Sequence, residues 1–362
     1  MRKLKVIHLG TGPRSVQFIL PILAQLSDQL ELLAIYGRSR EKVEPLARQY
    51  NVPGYTDLEQ MLDRHPADMA TAIVNCSANY AVAEPLARRG ISCILETPIE
   101  LDLAKAHALL ELAARHKVRI EIAENSFRLP DERLARKLLN EGIFGRVLVA
   151  YNDMGTHGYH AINRLRNYVG FAEPIKSVTA FHQTWGGRDR SSGTRMAFID
   201  FANSAVGVHS IGYGLAVNPW PVHKKFVAER GWLACQQGEY LDGQTKRAIH
   251  IERVGRALTD PAGKSVDVCQ QMVADLSGGK QIVWTNPLAD RAFDDEHLSA
   301  AAVVQSMARA VRENVAPEYA LRDALIDYET DSAMCCSHAN ARRVTLPLDL
   351  ATVAEERRRG LY

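Results

Sequence analysis

The sequence lacks the features that mark secreted, membrane-spanning or nucleic-acid-binding proteins. Its six cysteines contain no Cys-x-x-Cys spacing and no paired framework, so neither a zinc site nor a disulfide scaffold is expected. No signal-peptide pattern opens the chain, and no segment approaches the roughly 20 consecutive apolar residues that span a bilayer. The 44 basic and 42 acidic residues nearly cancel, which gives no reason to expect a nucleic acid partner. We therefore expect a cytoplasmic protein without a metal, membrane or nucleic acid partner.

The N-terminal third alternates short apolar strands with amphipathic helices. Predicted strands lie at 6–9, 30–36, 70–75, 92–95 and 119–122, and predicted helices lie at 16–25, 40–50, 81–89 and 103–116. A βαβα alternation of this kind is typical of a doubly wound parallel sheet with helices on both faces. Since 362 residues are enough for two domains, we predict that the first covers residues 1–125.

The pattern changes after residue 125. One helix is predicted at 131–140, strands at 147–151, 175–182, 196–201, 205–213 and 225–234, and two helices at 298–312 and 320–337. Alternating apolar and polar residues favour antiparallel strands with one solvated face. Residues 126–362 are therefore predicted to form a second domain, which would bind substrate. Because a bare apolar sheet face is a liability in solution, we expect another subunit to cover it in a homodimer or homotetramer.

A glycine turn follows the first predicted strand directly. It reads Gly10-Thr11-Gly12-Pro13-Arg14-Ser15 and opens the first helix. Gly10 permits a tight turn, Gly12 lets backbone approach a ligand, and Ser15 stands where a third glycine would ease helix–strand packing. In this strand–turn–helix context the motif predicts a dinucleotide site with the pyrophosphate on the turn. The alternative is a tight turn without a ligand.

The end of the second strand bears on the choice between NADP and NAD. An NAD site usually carries an acid about 20 residues after the glycine motif, but this chain has Gly37-Arg38-Ser39-Arg40 there. Gly37 leaves room, Arg38 can pair with a 2′-phosphate, and Ser39 can donate a hydrogen bond to it. These residues favour NADP. Alternatively, Ser39 only caps the following helix and the arginines face water.

Several segments together resemble the Gfo/Idh/MocA family of nicotinamide-dependent proteins. Besides the glycine turn they are residues 57–62, 90–98, 124–130, 140–147 and 341–347, so that the resemblance extends over nearly the whole chain. It implies an α/β protein in which an N-terminal Rossmann domain precedes an α/β domain built on a large, open, mainly antiparallel sheet. It also implies that the substrate is a sugar, cyclitol or similar polyol. Glu96 is counted among the cofactor-binding residues.

Two departures from the family motifs concern proton transfer. The usual Glu-Lys-Pro is Glu96-Thr97-Pro98 here, and the missing lysine is the residue that typically moves the proton of the reacting hydroxyl. Thr97 can orient a hydroxyl by hydrogen bonding, but it is no base near neutral pH. The usual Asp-x-x-x-His falls on Thr156 and His160, so the histidine is kept and the aspartate is not.

The remaining acid–base candidates lie close together in sequence. They are Asp153, His157, Tyr159 and His160, and histidine is the side chain best suited to carry a proton at neutral pH. Six polar or aromatic residues are candidate substrate ligands: Asn125, Arg128, Asp153, Asn163, Arg164 and Trp185. A helix that begins near Tyr159 would place His160, Asn163 and Arg164 on one face. The alternative for all of these residues is packing, capping or simple exposure to solvent.

Three functions fit this set of residues. The first is an oxidoreductase that transfers a hydride between NADP or NAD and a carbohydrate-like secondary alcohol or ketone. The second is a redox-neutral glycoside hydrolase or lyase of the same family, which oxidises its sugar transiently and keeps its cofactor. The third is a protein without catalytic activity that senses a dinucleotide or sugar. Net consumption of NADPH separates the first from the second, and turnover of any kind separates both from the third.

Overall fold

The computed structural model describes residues 2–153, 158–184, 193–213, 223–351 and 353, apart from the side chains of residues 153, 213, 223 and 224. The chain divides into two compact units. The first comprises Met1–Asn125 and Glu296–Leu325, and the second comprises Ser126–Asp295 and Ile326–Tyr362. The chain therefore returns to the first unit after residue 295, which a division into two continuous segments does not provide for.

The described residues form seventeen strands and nine helices. The strands are β1 (Leu4–Leu9), β2 (Leu30–Tyr36), β3 (Gly54–Tyr55), β4 (Met69–Ala72), β5 (Ser92–Leu95), β6 (Ile120–Ile122), β7 (Val147–Asp153), β8 (Ile175–Thr184), β9 (Gly193–Phe201), β10 (Val206–Tyr213), β11 (His223–Ala228), β12 (Gly231–Ala234), β13 (Gln237–Asp242), β14 (Thr245–Thr259), β15 (Ser265–Leu276), β16 (Lys280–Thr285) and β17 (Val344–Thr345). The helices are α1 (Leu20–Gln25), α2 (Arg40–Gln49), α3 (Leu58–Arg64), α4 (Asn79–Arg88), α5 (Leu103–His116), α6 (Pro130–Asn140), α7 (Gly158–Val169), α8 (Asp295–Glu313) and α9 (Leu321–Asn340). No helix within these described ranges is both long and apolar enough to cross a bilayer.

The first unit contains a six-stranded parallel sheet in the order β3-β2-β1-β4-β5-β6. Its central strands are buried and mainly apolar, and Val6, Ile7 and Leu9 of β1 are fully buried, as expected for strands covered on both faces. The order reverses between β1 and β4, which makes their carboxyl ends the topological switch point where ligands of such sheets bind. The predicted doubly wound Rossmann sheet is confirmed.

A single turn of π-helix, Ser15–Ile19, leads from the glycine turn into α1. Ser15, Ile19 and Leu20 are buried, so this turn packs against the sheet directly behind the switch point. A π turn inside a longer helix is frequent at functional sites, because it displaces part of the helix backbone from its regular path. The sequence predicts the helix but not this irregularity.

The second unit contains an eleven-stranded sheet in the order β16-β15-β14-β13-β12-β11-β7-β10-β9-β8-β17. Among the described residues of this second sheet, only the β7–β10 pair is parallel. The predicted large, mainly antiparallel sheet is therefore confirmed. Helices α6 and α7 cover one face, where Phe144, Phe201 and Phe226 form part of the core. The other face carries exposed Phe181 and Phe198, each 57% exposed.

Two predictions for this sheet are wrong in detail. Residues 225–234, predicted as one strand, form the hairpin of β11 and β12, in which Lys225 lies opposite Ala234. Gly231 follows the turn with φ +155°, and a Cβ there would collide with the carbonyl of Glu239 on the next strand. The strands β13 to β16 are absent from the prediction. They include β14 and β15, whose long hairpin is exposed towards its tip, although Ile249 and Ile251 of β14 alternate with exposed residues.

Candidate functional site

The clearest candidate site is a groove at the carboxyl ends of β1, β2, β4 and β5 in the first unit. It has a volume of about 750 Å³. The glycine turn, Gly10 to Ser15, forms its floor. Tyr36, Gly37, Arg38 and Lys42 line one end, and the opposite side contains residues 73–75, 77, 78, 82 and Glu96. The groove therefore lies at the switch point of the parallel sheet.

Glycine is needed at positions 10 and 12 of the turn for two different reasons. Gly10 has φ +129°, and a Cβ there would collide with the backbone carbonyl of Ile73, which directly follows the neighbouring strand β4. The fold itself thus requires Gly10. Gly12 is exposed, and a Cβ at Gly12 would meet no atom within 4 Å. No packing contact explains Gly12, whereas a ligand that approaches the backbone in the groove does. The turn therefore fits the pyrophosphate of a dinucleotide.

The other residues of the turn close the groove from behind. Ser15 is fully buried, and its hydroxyl donates a hydrogen bond to the carbonyl of Ile73 over 3.3 Å. This bond joins the first helical turn to the chain just beyond β4. Gly37 also serves packing, because a Cβ there would lie 2.6 Å from Cγ2 of Thr11 and 2.8 Å from Cγ2 of Val43.

Two cations stand at the β2 end of the groove. Within the described part of the chain, the side chains of Arg38 and Lys42 form no ion pair or hydrogen bond. Arg40, which lies between them in sequence, is instead paired with Glu44 at 2.6 Å. Ser39 precedes α2 but makes no side-chain capping bond, so its hydroxyl is not committed to the helix as the capping alternative requires. Sequence reasoning missed Lys42, although its position four residues after Arg38 and one helical turn inside α2 is a usable signal.

Arg14 lines the groove and contacts Asn125, Glu96 and Phe18. Its guanidinium donates a hydrogen bond to Oδ1 of Asn125 over 3.0 Å, lies 3.6 Å from Oε1 of Glu96, and stacks on the ring of Phe18. The amide of Asn125 donates in turn to the hydroxyl of Ser299 over 2.6 Å. Arg14, Asn125 and Glu96 are thus brought together as one network, and Arg14 is held by protein groups.

The Glu-Thr-Pro segment lies at the end of β5. The Thr97 hydroxyl donates a hydrogen bond to Oε1 of Glu96 over 3.3 Å, and Glu96 itself lines the groove. A buried amide, that of Asn79 at the start of α4, donates to backbone carbonyls of this segment. Sequence reasoning missed Asn79. Cys76, close by, is a poor nucleophile, because burial raises the pKa of its thiol.

The candidates of the second unit lie on or near α7. Tyr159 and His160 are partly buried, with ring centroids 4.3 Å apart, and the Ser126 hydroxyl donates to the backbone carbonyl of His160 over 3.4 Å. Asn163 is fully buried and donates to Oδ2 of Asp327 over 3.3 Å.

Arg164 and Arg128 also lie in the interior of this unit. Arg164 is 6% exposed, with its Nε 3.7 Å from a carboxylate oxygen of Glu132. Arg128 is 1% exposed and stacks on Phe127 at 4.6 Å. The structure thus places these two arginines and Asn163 in buried polar contacts of the protein itself.

Some predicted residues lie outside the described part of the chain. Thr156, His157 and Trp185 are not described, and of Asp153 only the backbone is described. Among the described residues, no group of three or more His, Cys, Asp or Glu side chains is placed to hold a metal ion.

Residues 4–124 match the model of the GFO_IDH_MocA family, an oxidoreductase family with an NAD-binding Rossmann fold. The N-terminal domain belongs to the Gfo/Idh/MocA family. The match ends one residue before the boundary of the first unit at Asn125, and it includes the whole groove. This confirms the predicted family and a nicotinamide dinucleotide as the ligand class of this Gfo/Idh/MocA domain.

The individual relatives of this chain are distant. It is 26% identical over 158 residues to an uncharacterized protein of Saccharomyces cerevisiae, covering 43% of this chain and 45% of the yeast protein. It is 27% identical over 115 residues to UDP-N-acetylglucosamine 3-dehydrogenase of Acidithiobacillus ferrooxidans, covering 31% of this chain and 36% of that enzyme. These alignments span less than half of either relative.

The whole fold is shared with solved structures of oxidoreductases. One is the aldose-aldose oxidoreductase from Caulobacter crescentus, crystallised with glycerol, with a TM-score of 0.71 and 18% sequence identity. The superposition covers 95% of this chain and 100% of that one. At this identity the likeness shows the fold, including the open sheet of the second unit.

Proposed function

We propose that the protein is an NADP-dependent oxidoreductase that transfers a hydride between nicotinamide and a carbohydrate-like secondary alcohol or ketone. The observation that carries this proposal is the open space at Gly12, in a groove of about 750 Å³ at the switch point of a family-matched Rossmann sheet. The glycine turn would hold the pyrophosphate through its backbone N–H groups. When bound, the nicotinamide supplies or accepts the hydride.

The preference for NADP over NAD rests on the charges at the β2 end of the groove. A 2′-phosphate adds negative charge at the ribose, and Arg38 and Lys42 offer two cations without a carboxylate partner among the described residues. The Ser39 hydroxyl supplies a third donor close by. An NAD site would place an acid here to bind the ribose hydroxyls, and this chain has none at residues 37–40.

The substrate class is inferred from relatives by name. One curated relative is a dehydrogenase of UDP-N-acetylglucosamine, and one structural neighbour is an aldose–aldose oxidoreductase. Both names describe sugar chemistry. We therefore propose a sugar or sugar-like polyol as the small-molecule substrate of this chain.

For proton transfer we propose His160 as the acid–base group, with His157 and Tyr159 as neighbours able to assist. An imidazole can carry the proton of the reacting hydroxyl at neutral pH, whereas the Thr97 hydroxyl can only orient the oxygen. Asn163, Arg164 and Arg128 are proposed to position α7 and its surroundings, because each is buried in contacts of the second unit. Asp153 and Trp185 stay candidates for substrate binding.

Binding is tested first, with Gly12→Val as the matched variant. A Cβ at position 12 meets no protein atom within 4 Å, and a valine side chain there would project into the open space above the turn. Wild-type protein is expected to bind NADPH more tightly than NADH in a fluorescence titration, and Gly12→Val is expected to lose both while its melting temperature stays the same. A wild-type protein that binds neither dinucleotide would refute the proposal.

Turnover is tested next with sugars and nucleotide sugars. Product formed with one NADP reduced, or one NADPH oxidised, per turnover supports the oxidoreductase. Product formed without net change in the dinucleotide, which is then released in stoichiometric amount on denaturation, favours the redox-neutral hydrolase or lyase. Tight dinucleotide binding without turnover of any sugar favours a sensor.

A further inference from the structure

We infer that Asn79 is a positioning residue for the nicotinamide end of the groove. The inference rests on the proposed function, because it assigns a role within the dinucleotide site. Asn79 is the first residue of α4, and its side chain is fully buried. It lies outside the glycine turn and outside the Glu-Thr-Pro segment that it supports.

The Asn79 amide is directed at one backbone segment. Its Nδ2 lies 2.7 Å from the carbonyl oxygen of Glu96, 3.1 Å from that of Pro98 and 3.1 Å from that of Ile99. An amide nitrogen has two hydrogens, so one of them is shared between two of the three acceptors. The three carbonyls also fix which way the amide points, since the opposite orientation would place oxygen against oxygen.

The oxygen of the Asn79 amide, unlike its nitrogen, has no hydrogen-bond partner among the described residues. Oδ1 of Asn79 is buried, and no donor among the described residues reaches it. An unsatisfied buried acceptor is costly, so the site retains the amide for its N–H groups alone.

The segment that Asn79 holds in place forms part of the groove wall opposite the β2 end. Glu96 lines the groove, accepts the Thr97 hydroxyl and lies beside Arg14, which belongs to the glycine turn. In a Rossmann site the adenosine ribose lies at the end of β2. The opposite end, where Glu96 stands, is therefore the nicotinamide end, and Asn79 holds its wall at a set distance from the turn.

The test separates the two ends of the dinucleotide. NADPH spans both ends, whereas 2′,5′-ADP carries the adenosine and the 2′-phosphate without the nicotinamide. Asn79→Leu has nearly the shape of the native side chain but no donor, and Asn79→Ser is a second variant in which a water can fill the space. Ala83→Gly, at a buried residue one turn further along α4, is the control that destabilises the helix without touching the segment.

We expect Asn79→Leu and Asn79→Ser to raise the Kd of NADPH about tenfold, equivalent to the loss of roughly one net hydrogen bond, while the Kd of 2′,5′-ADP changes less than about twofold. The nicotinamide fluorescence of bound NADPH should change with it. Ala83→Gly should lower the melting temperature and leave the ratio of the two Kd values as in the wild type.

Two results would overturn the inference. One is that neither Kd changes in either Asn79 variant, and the other is that both Kd values rise by the same factor, which a general structural role produces. Failure of the wild type to bind NADPH would instead refute the proposed function, and the inference with it. The melting temperature of each variant shows whether a loss of binding reflects loss of the fold.

Discussion

At the scale of single residues, His8 shows how burial changes chemistry. It lies on β1, fully buried, with Nδ1 2.7 Å from the hydroxyl of Thr71 on β4. Burial lowers the pKa of His8 to about 4, because the charged imidazolium loses its hydration there. The folded protein therefore holds a neutral imidazole in the centre of the first sheet between about pH 4 and 6.5, where a free histidine is charged.

This predicts a loss of stability in acid. Since the pKa of His8 is lower in the folded state than in the unfolded chain, the unfolded chain binds the proton first. The contribution is intact above pH 6.5 and is lost as the pH falls toward 4. The loss is about 2 kcal/mol at pH 5 and roughly 3 kcal/mol in total. Urea unfolding at pH 7.5 and pH 5 should show a smaller difference for His8→Leu than for the wild type, and equal differences would contradict the prediction.

A second residue-scale prediction concerns cofactor choice. Arg38→Ala should raise the Kd of NADPH roughly 10- to 100-fold, because it removes a charged donor from the proposed 2′-phosphate site, and should leave the Kd of NADH nearly unchanged. Arg40→Ala is the matched control, since Arg40 is already paired with Glu44. Fluorescence titration of both dinucleotides measures the effect. A parallel loss of NADPH and NADH binding in Arg38→Ala would argue against phosphate recognition.

At the scale of elements, α7 depends on a buried ion pair. Arg166 and Asp327 are 0% and 1% exposed, and their side chains are joined by a hydrogen bond of 2.8 Å. The pair links α7 to α9 within the second unit. Arg166 also donates to the carbonyl of Phe171 over 2.9 Å.

Breaking this pair on one side should be severe. Asp327→Leu leaves the Arg166 charge buried opposite an apolar group and should lower the free energy of unfolding by about 3–5 kcal/mol. The combined Asp327→Leu and Arg166→Met protein should recover a large part of that loss. Glu84→Gln, in an exposed pair with Arg88, should cost less than about 1 kcal/mol. Chemical denaturation measures all three, and a mild effect of Asp327→Leu alone would contradict the prediction.

Local sequence signals predicted the elements that local interactions determine. The helix at 103–116 and the strands at 30–36 and 92–95 have the predicted bounds. Asp102 caps that helix through bonds to the N–H groups of Ala104 and Lys105, which is a signal contained in neighbouring residues. The hairpin of β14 and β15 was missed because pairing across the hairpin, and not an apolar pattern, makes its exposed residues into strands.

The site, like the fold, was predictable only where it depends on residues that are neighbours in the sequence. The glycine turn is contiguous, so six residues of the sequence suffice to locate the groove. Asn79 meets the carbonyl of a residue 17 positions later, and no spacing rule relates the two. Helical spacing correctly grouped Asn163 and Arg164 on α7, but only packing shows that both are buried.

At the scale of the whole molecule, the exposed apolar side chains on the outer face of the eleven-stranded sheet call for an explanation. Phe181 of β8 lies opposite Met196 of β9, and Phe198 of β9 lies opposite Val208 of β10. Phe181, Met196 and Phe198 are 57%, 44% and 57% exposed, so they form an apolar patch on β8 and β9. Contiguous exposed apolar surface of this kind marks interaction sites.

We predict that this patch joins two copies of the chain, because a symmetric dimer buries the same surface patch of both subunits against each other. A carboxylate at its centre would have to be desolvated on association, so Phe198→Asp should shift the protein toward monomer. Sedimentation velocity of the wild type, Phe198→Asp and Val315→Asp measures this. Val315 is an exposed apolar residue of the first unit, 39% exposed, and its variant should sediment like the wild type. A monomeric wild type would mean that the chain has no such subunit contact, and a Phe198→Asp protein that stays associated would place the contact outside this patch. A selective loss of association in Phe198→Asp would explain why this face carries aromatic side chains.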